Sequence, residues 1–439
     1  MHSLPNHSIQ EEKRMERNSV QYQQYTKILQ EELIPAMGCT EPIAIAYAAA
    51  KCRVLLGCCP ERCVMWVSGS IIKNVKSVIV PNTGGQKGLE TAVAAGIVGG
   101  DADAELQVLA NIRPEQLAEI EQYRKNTPIE IRHAQNGIMF YIDITCYGAG
   151  HSVRVVIAQN HTNIIRIEKD GEALFEKAEQ ENAQERAVER SMLSIEGIWN
   201  YVQSVHLADV APLIERQIAY NSALSKEGLT NSWGAEIGRI LQRNSGGDVR
   251  MLARAAAAAG SDARMSGCEL PAIILSGSGN QGITATMPVL VYAEQLHSTK
   301  EQIYRALVLS DLVTIHQKTG IGSVSAFCGA VCAGVGAGCG IAYLQGADYD
   351  AICHTVVNAL AIVSGMLCDG AKSSCAAKIS AAVDAGIMGY MMYDCGQQFY
   401  GGDGLVKKGV ENSINSVCEV AREGMRETNE RILKVMLEK

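Results

Sequence analysis

Aromatic side chains are scarce in this 439-residue chain, only 5% of the total, and there are ten prolines. With few rings to fill an interior, the core has to be built from Ala, Gly, Val and Ile. The 42 glycines allow backbones to approach closely. An excess of positive charge is also missing: the formal charge is −8 and the pI is near 5.7, which excludes a general nucleic-acid binder with its basic face. The opening stretch from Met1 to Arg17 is polar, with no apolar run and no cleavage-site pattern, so a secretory leader is not expected. Membrane spans are not expected either. Ala326–Leu344 is mostly Gly, Ala and Cys, Ala351–Cys368 carries His354 and Asn358, and neither has a basic flank or an aromatic belt. Both read as interior helices of a large helical domain. Disorder as the main state is excluded by 47% hydrophobic residues against 20% charged ones.

What is abundant is cysteine, fifteen in all. A small secreted chain would use them as disulfides; a long one without a leader reads as a reduced cytoplasmic protein with many buried thiols, a few of which hold a metal centre. In the second half these are Cys268, Cys328, Cys332, Cys339, Cys353, Cys368, Cys375, Cys395 and Cys418, and none forms a CxxC, which argues against a zinc ribbon or finger. Cys328, Cys332 and Cys339 lie in a Gly/Ala helix and read first as small packed residues.

The fold class expected is α+β: a mainly helical, Gly/Ala-rich domain with a smaller α+β domain inserted. Residues 1–22 form a polar tail. The helical domain is assembled from 23–60 and 205–439, the inserted domain is 61–174, and 175–204 is a connector within a long charged helix that starts near Ala173. Short β-branched runs mark the inserted domain: Val64–Val67, Ser77–Val80, Ile129–Arg132, Met139–Thr145, Ser152–Ala158 and Ile164–Ile167. Between them Gly85–Gly100 and Arg113–Lys125 read as helices.

Five segments carry candidate chemistry. Pro35-Ala36-Met37-Gly38-Cys39-Thr40-Glu41-Pro42 interrupts a helical pattern and sets Cys39 at the start of the second helix, where backbone N–H groups are expected to lower a thiol pKa. Cys368-Asp369-Gly370-Ala371-Lys372-Ser373-Ser374-Cys375 is a polar loop bracketed by two thiols, with Lys372 between them. Ser276-Gly277-Ser278-Gly279-Asn280-Gln281-Gly282 precedes an apolar helix and offers N–H donors to a phosphate or carboxylate, although it is neither a Walker loop nor a dinucleotide fingerprint. Pro81–Gly88 could serve similarly. Gly148-Ala149-Gly150-His151 supplies, by residue type, a general-base candidate in His151.

Three of these, the Pro35–Pro42, Ser276–Gly282 and Cys368–Cys375 segments in that order, resemble the L-cysteine desulfidase family, which is related to the iron–sulfur L-serine dehydratases. The resemblance runs from about residue 25 to the C-terminus, the small domain resembling the dehydratase β-type domain and the remainder the α-type. It implies a lyase that uses a [4Fe-4S] cluster instead of pyridoxal phosphate. The implied cluster cysteines are Cys328, Cys368 and Cys375, with Cys39 as a fourth ligand or a catalytic thiol.

On that resemblance an exposed iron acts as Lewis acid on the leaving sulfur or oxygen of an amino acid substrate. Ser276, Gly277, Ser278, Gly279 and Asn280, with Lys372, bind the carboxylate, and Cys39 or His151 is the base. L-Cysteine desulfidation is the expected activity, with L-serine deamination on the same site, and a homodimer is the expected assembly. The rival readings are a pyridoxal-phosphate lyase cradling its phosphate on Ser276–Gly282 with Lys372 as Schiff base, a non-catalytic iron–sulfur sensor, and a structural protein with inert thiols. The anion loop separates them, because a sensor has no use for one.

Overall fold

The computed structural model describes residues 15–177, 190–322 and 325–438. The chain runs α1 (Val20–Glu32), β1 (Pro35–Met37), α2 (Thr40–Leu56), β2 (Arg62–Val67), α3 (Gly69–Val75), α4 (Leu89–Gly99), α5 (Gln116–Asn126), β3 (Ile129–His133), β4 (Tyr141–Gly148), β5 (His151–Ala158), β6 (Ile164–Lys169) and β7 (Glu172–Glu176). It continues through α6 (Ile195–Ser204), α7 (Leu207–Thr230), α8 (Ile237–Arg243), α9 (Val249–Met265), β8 (Pro271–Ile273), α10 (Gly279–Gln295) and α11 (Lys300–Ile321). It ends with α12 (Gly329–Leu344), α13 (Tyr349–Val363), α14 (Ser374–Asp394), α15 (Val410–Glu419) and α16 (Arg426–Leu437). The fold is α+β with helix predominant, and no helix among the described residues is long and apolar enough to cross a membrane.

Two hydrophobic cores organise these elements. One is helical and centres on α12, whose buried face is almost entirely Gly, Ala, Val and Cys. A Cβ on Gly334 would lie 2.3 Å from the Ala382 carbonyl oxygen, and one on Gly386 would lie 2.0 Å from the Gly334 oxygen. α12 and α14 therefore cross backbone to backbone, and the scarcity of aromatic residues is the sequence signature of that crossing.

The second core lies under a six-stranded sheet of order β3-β2-β4-β5-β6-β7, parallel between β2 and β3 and antiparallel elsewhere. α2 and α4 cover its inner face. α2, which the sequence groups with the helical region, thus puts its buried residues into the core of the sheet. Ser77–Val80 makes only an isolated bridge, Ile79 to Lys87, instead of a strand. At the start of the expected charged helix, Ala173 belongs to the exposed edge strand β7, which follows a tight turn with positive φ at Asp170 and Gly171. Residues 178–189 of that expected helix and residues 1–14 of the expected tail lie outside the described residues, and its last part, Ile195–Ser204, is α6.

A small antiparallel pair joins distant parts of the chain. β1 pairs with β8, Ala36 opposite Ala272, and the Ile274 N–H donates to the Ile34 carbonyl at 2.9 Å. The segments that begin at Pro35 and end at Ser276 are therefore neighbours.

Candidate functional site

Two short backbone ladders bring the motifs together. Besides the β1–β8 pair, Phe327 bridges Leu367 antiparallel, with the Cys328 N–H donating to the Met366 carbonyl at 3.0 Å and the Cys368 N–H to the Ala326 carbonyl at 2.6 Å. This lays Cys328 beside Cys368. The loop then turns through Gly370, at φ +98°, where a Cβ would strike the Lys73 carbonyl at 2.4 Å. It ends with Cys375 in the first turn of α14.

Cys39, Cys328, Cys368 and Cys375 line one cavity of about 130 Å3, together with Ser276, Gly277, Ser278 and Asn280. Cys39, Ser278 and Cys328 occupy the N-cap positions of α2, α10 and α12 without a side-chain capping bond, and Cys375 lies in the first turn of α14, so four helix N-termini converge here. Each brings unsatisfied N–H groups and partial positive charge, which favours anions. The buried Arg264 and Lys318 add two cations to the same lining.

Chemistry is also supplied by residues that the sequence reading passed over. Glu41 accepts hydrogen bonds from the Cys39 thiol at 3.0 Å and from Asn74 Nδ2 at 2.8 Å. Burial pushes the Glu41 carboxyl up, but the facing His161, the Cys39 thiol and Arg264 outweigh it and hold it below its ordinary value. His161 is held down by burial, against the pull of Glu41, and so favours the neutral imidazole. A Cβ on Gly277, at φ +73°, would lie 2.9 Å from His161 Cε1, so the glycine makes room for the ring. Arg264 Nη1 donates to Asn280 Oδ1 at 3.1 Å. Four buried polar atoms of the lining have no partner: His161 Nε2, Arg264 Nε, Gln281 Oε1 and Asn74 Oδ1. Their gathering in one place marks a ligand site.

Several expectations need correcting. Cys39 does sit at a helix N-terminus, but burial and the neighbouring Glu41 carboxylate raise its thiol pKa well above the ordinary value. His151 lies outside the cavity. It is exposed at the β4–β5 hairpin turn, where Ala149 and Gly150 take positive φ, and its Nδ1 lies 2.8 Å from Asp170 Oδ2. His161 follows the other end of the eight-residue strand β5, about 25 Å away at the usual rise per residue. Lys372 also points away from the cavity, its ammonium 2.6 Å from Asp369 Oδ1. Ser276 lines the site, but its N–H is spent on Glu32 Oε2 at 2.8 Å. No side chain caps α10, so the donors of this turn are the first N–H groups of that helix, beginning at Gly279. A signal for His161 exists: Gln159-Asn160-His161-Thr162-Asn163 is a polar turn between two strands, at the end of the sheet where β2 runs into α3.

A wider cavity of about 440 Å3 adjoins the first and shares His161, Ser276, Gly277 and Lys318 with it, forming a vestibule.

Among the described residues no three His, Cys, Asp or Glu side chains converge tightly enough to hold a single metal ion. A four-iron cluster makes a different demand, one thiolate per iron around a cube, and the donor set suits it. Three partly buried thiols, two of them bracketing one loop and the third at the start of α12, all free of disulfides, face one cavity among helix N-termini and buried cations. Without a cation between them they oppose one another's ionisation: Cys328 is pushed up to about 12, by burial first and then by Cys368.

The sequence matches the serine dehydratase alpha chain family over residues 103–434. A UPF0597 protein of Desulfitobacterium hafniense is 53% identical over 423 residues, covering 96% of this chain and 98% of that one. UPF0597 proteins of Lachnoclostridium phytofermentans and Treponema denticola are 46% and 43% identical, covering 95% of this chain each and 100% and 98% of their own lengths. With one family matched over most of its length, and with relatives this similar from end to end, the chain belongs to the serine dehydratase alpha chain family.

Proposed function

We propose that this chain is an iron–sulfur lyase that removes the β-substituent of a small L-amino acid. L-Cysteine is the substrate, giving sulfide, and L-serine is the alternative on the same site, giving water. Either way the carbon product is aminoacrylate, which water converts to pyruvate and ammonia. The observation that carries the reading is the convergence of four thiols, four helix N-termini, Arg264 and His161 on one cavity of about 130 Å3.

Cys328, Cys368 and Cys375 would hold the [4Fe-4S] cluster, with Cys39 as fourth ligand or neighbouring thiol. When bound, the cluster supplies a Lewis-acidic iron to the leaving sulfur or oxygen. The chain's own residues do the rest. Arg264 and the first N–H groups of α10 neutralise the substrate carboxylate. His161, neutral and with Nε2 unpartnered in the cavity, takes the α-proton, and the Glu41 carboxylate facing it stabilises the imidazolium that results. Cys39, its thiol held protonated by burial and by Glu41, is the weaker base. Phe327, Ile379 and Met265 wall the cavity and limit bulk water.

The test is anaerobic reconstitution with iron and sulfide, then assays of sulfide and pyruvate release from L-cysteine and L-serine, beside the Cys368→Ser variant. Cluster-dependent release of both products that disappears in the variant supports the reading, and the two rates rank the substrates. Cluster binding without turnover would favour a sensor. Turnover that persists without iron would sink the cluster mechanism.

A further inference from the structure

The unpartnered atoms of the cavity divide by chemical type. Arg264 Nε is a donor, on the side of the α10 N-terminus. Asn74 Oδ1 and Gln281 Oε1 are acceptors only, and both side chains are more than nine-tenths buried. The bond to Glu41 fixes the Asn74 orientation, and packing holds the Gln281 amide in place. Asn74 gives its amide nitrogen to Glu41 Oε1 at 2.8 Å, which leaves the oxygen as the free atom. Gln281 stands where a Cβ on Gly329 would lie 2.7 Å from its Cδ, so its amide is wedged against the start of α12. The two acceptors come from different parts of the fold, α3 beneath the sheet and α10 in the helical core, and meet only here.

Two buried carbonyl oxygens, with the Glu41 carboxylate behind one of them, call for a ligand group that donates several hydrogen bonds and carries positive charge. A carboxylate donates none, and a hydroxyl donates one and is neutral. An ammonium donates three. We infer that Asn74 and Gln281 form the subsite for the substrate's α-ammonium group, so that the cavity selects α-amino acids over 2-hydroxy acids of the same skeleton. This rests on the elimination reading above only in taking the ligand to be the substrate. A site built to bond an N–H donor rejects the analogue that leaves its polar groups unpaired.

L-Alanine and L-lactate provide the test, because both have the carboxylate and neither has a leaving group. Their binding to the full-length, cluster-loaded protein is measured by calorimetry, and their inhibition of L-cysteine and L-serine turnover in parallel. Alanine is expected to bind at least tenfold more tightly than lactate. Gln281→Met and Asn74→Leu are expected to lose tenfold or more in alanine affinity and to raise KM more than they lower kcat, with lactate affinity unchanged. Gln281→Glu, which keeps the acceptor, should retain the preference for alanine and serves as the folded control. Equal affinity for alanine and lactate in the unaltered protein would overturn the inference, as would Gln281→Met and Asn74→Leu variants that still discriminate. Selective alanine binding without any elimination would leave the subsite standing and reject the reaction.

Discussion

Cysteine stands in two different settings in this molecule, in two regions that a residue count does not tell apart. Inside the sheet core, Cys63 and Cys146 stand opposite each other on β2 and β4 with their sulfurs 3.6 Å apart. The Cys63 N–H donates to Pro128 on the far side, so the pair occupies a non-hydrogen-bonded position, where facing side chains are closest. Cys52, on α2, points its thiol at carbonyls of β4 and β5. The hydrogen bond with Cys146 and burial hold the Cys63 thiol far above its ordinary pKa, and no cation is on hand to offset them. These are small hydrophobic residues with a weak donor. Cys39, Cys328 and Cys375 are raised too, but they stand at helix starts and, with Cys368, line a cavity that also holds Lys318 and Arg264. On the proposed reading, placement against helix ends and cations is what separates a ligand from a filler.

That comparison can be broken in several ways. The largest effect expected is from Cys368→Ser, which should lose bound iron and at least a hundredfold of sulfide release, read by metal content and product assays. Cys63→Ala should keep both. Next, the two histidines: His161→Asn should lower kcat by about 10²–10⁴, the usual worth of a general base, while His151→Asn should stay within about twofold. If His151 proved the costly one, the assignment of the two ends of β5 would be reversed. Cys63→Ala should instead cost about 1 kcal/mol of stability in urea unfolding, a core-truncation effect.

The smallest effect concerns two buried carboxyls. Glu41 is held low by His161 and Arg264, whereas Asp311 on α11 has only Gln217, at 2.9 Å, and burial pushes it up to about 8. The unfolded chain then loses a proton that the folded chain keeps between about pH 4 and pH 8, so stability falls as pH rises through that window. Asp311→Asn should remove that dependence. It should gain on the unaltered protein by on the order of 1 kcal/mol per pH unit, measured by urea midpoints at pH 5, 6 and 7.

Much of the fold was legible because local pattern and tertiary role agreed. β4 and β5 alternate as half-buried strands do, and α12 to α14 read as apolar helices. β7 was missed because both its faces are exposed, so no alternation is imposed on it, and its Glu and Ala suit a helix equally well. In the site, Cys368, Cys375 and the Ser276–Asn280 turn announced themselves by type and spacing and Cys39 by its place at a helix start, whereas Cys328 read as a packed residue and entered only with the family resemblance. Arg264, Lys318 and His161 did not. Their meaning lies in what they meet across the fold, Gly277 for His161, Cys39 and Glu41 for Arg264 and the cavity thiols for Lys318, and the sequence around each reads as ordinary helix or turn. Glu41 stood inside the Pro35–Pro42 motif with no chemical role attached to it; its bonds to Cys39 and Asn74 and the charge of His161 give it one.

The pairing of β1 with β8 has a consequence for how the protein comes into being. Those two strands close a length of chain that contains the whole sheet. In an unfolded chain each doubling of such a loop adds about 0.6 kcal/mol of closure entropy. If the sheet folds first, it shortens the effective loop, and the strands meet at lower cost. On that route the sheet forms early and the cavity late. A substitution deep in the sheet, far from any thiol of the cavity, would slow or thin out the arrival of competent protein while leaving each finished molecule as active as before.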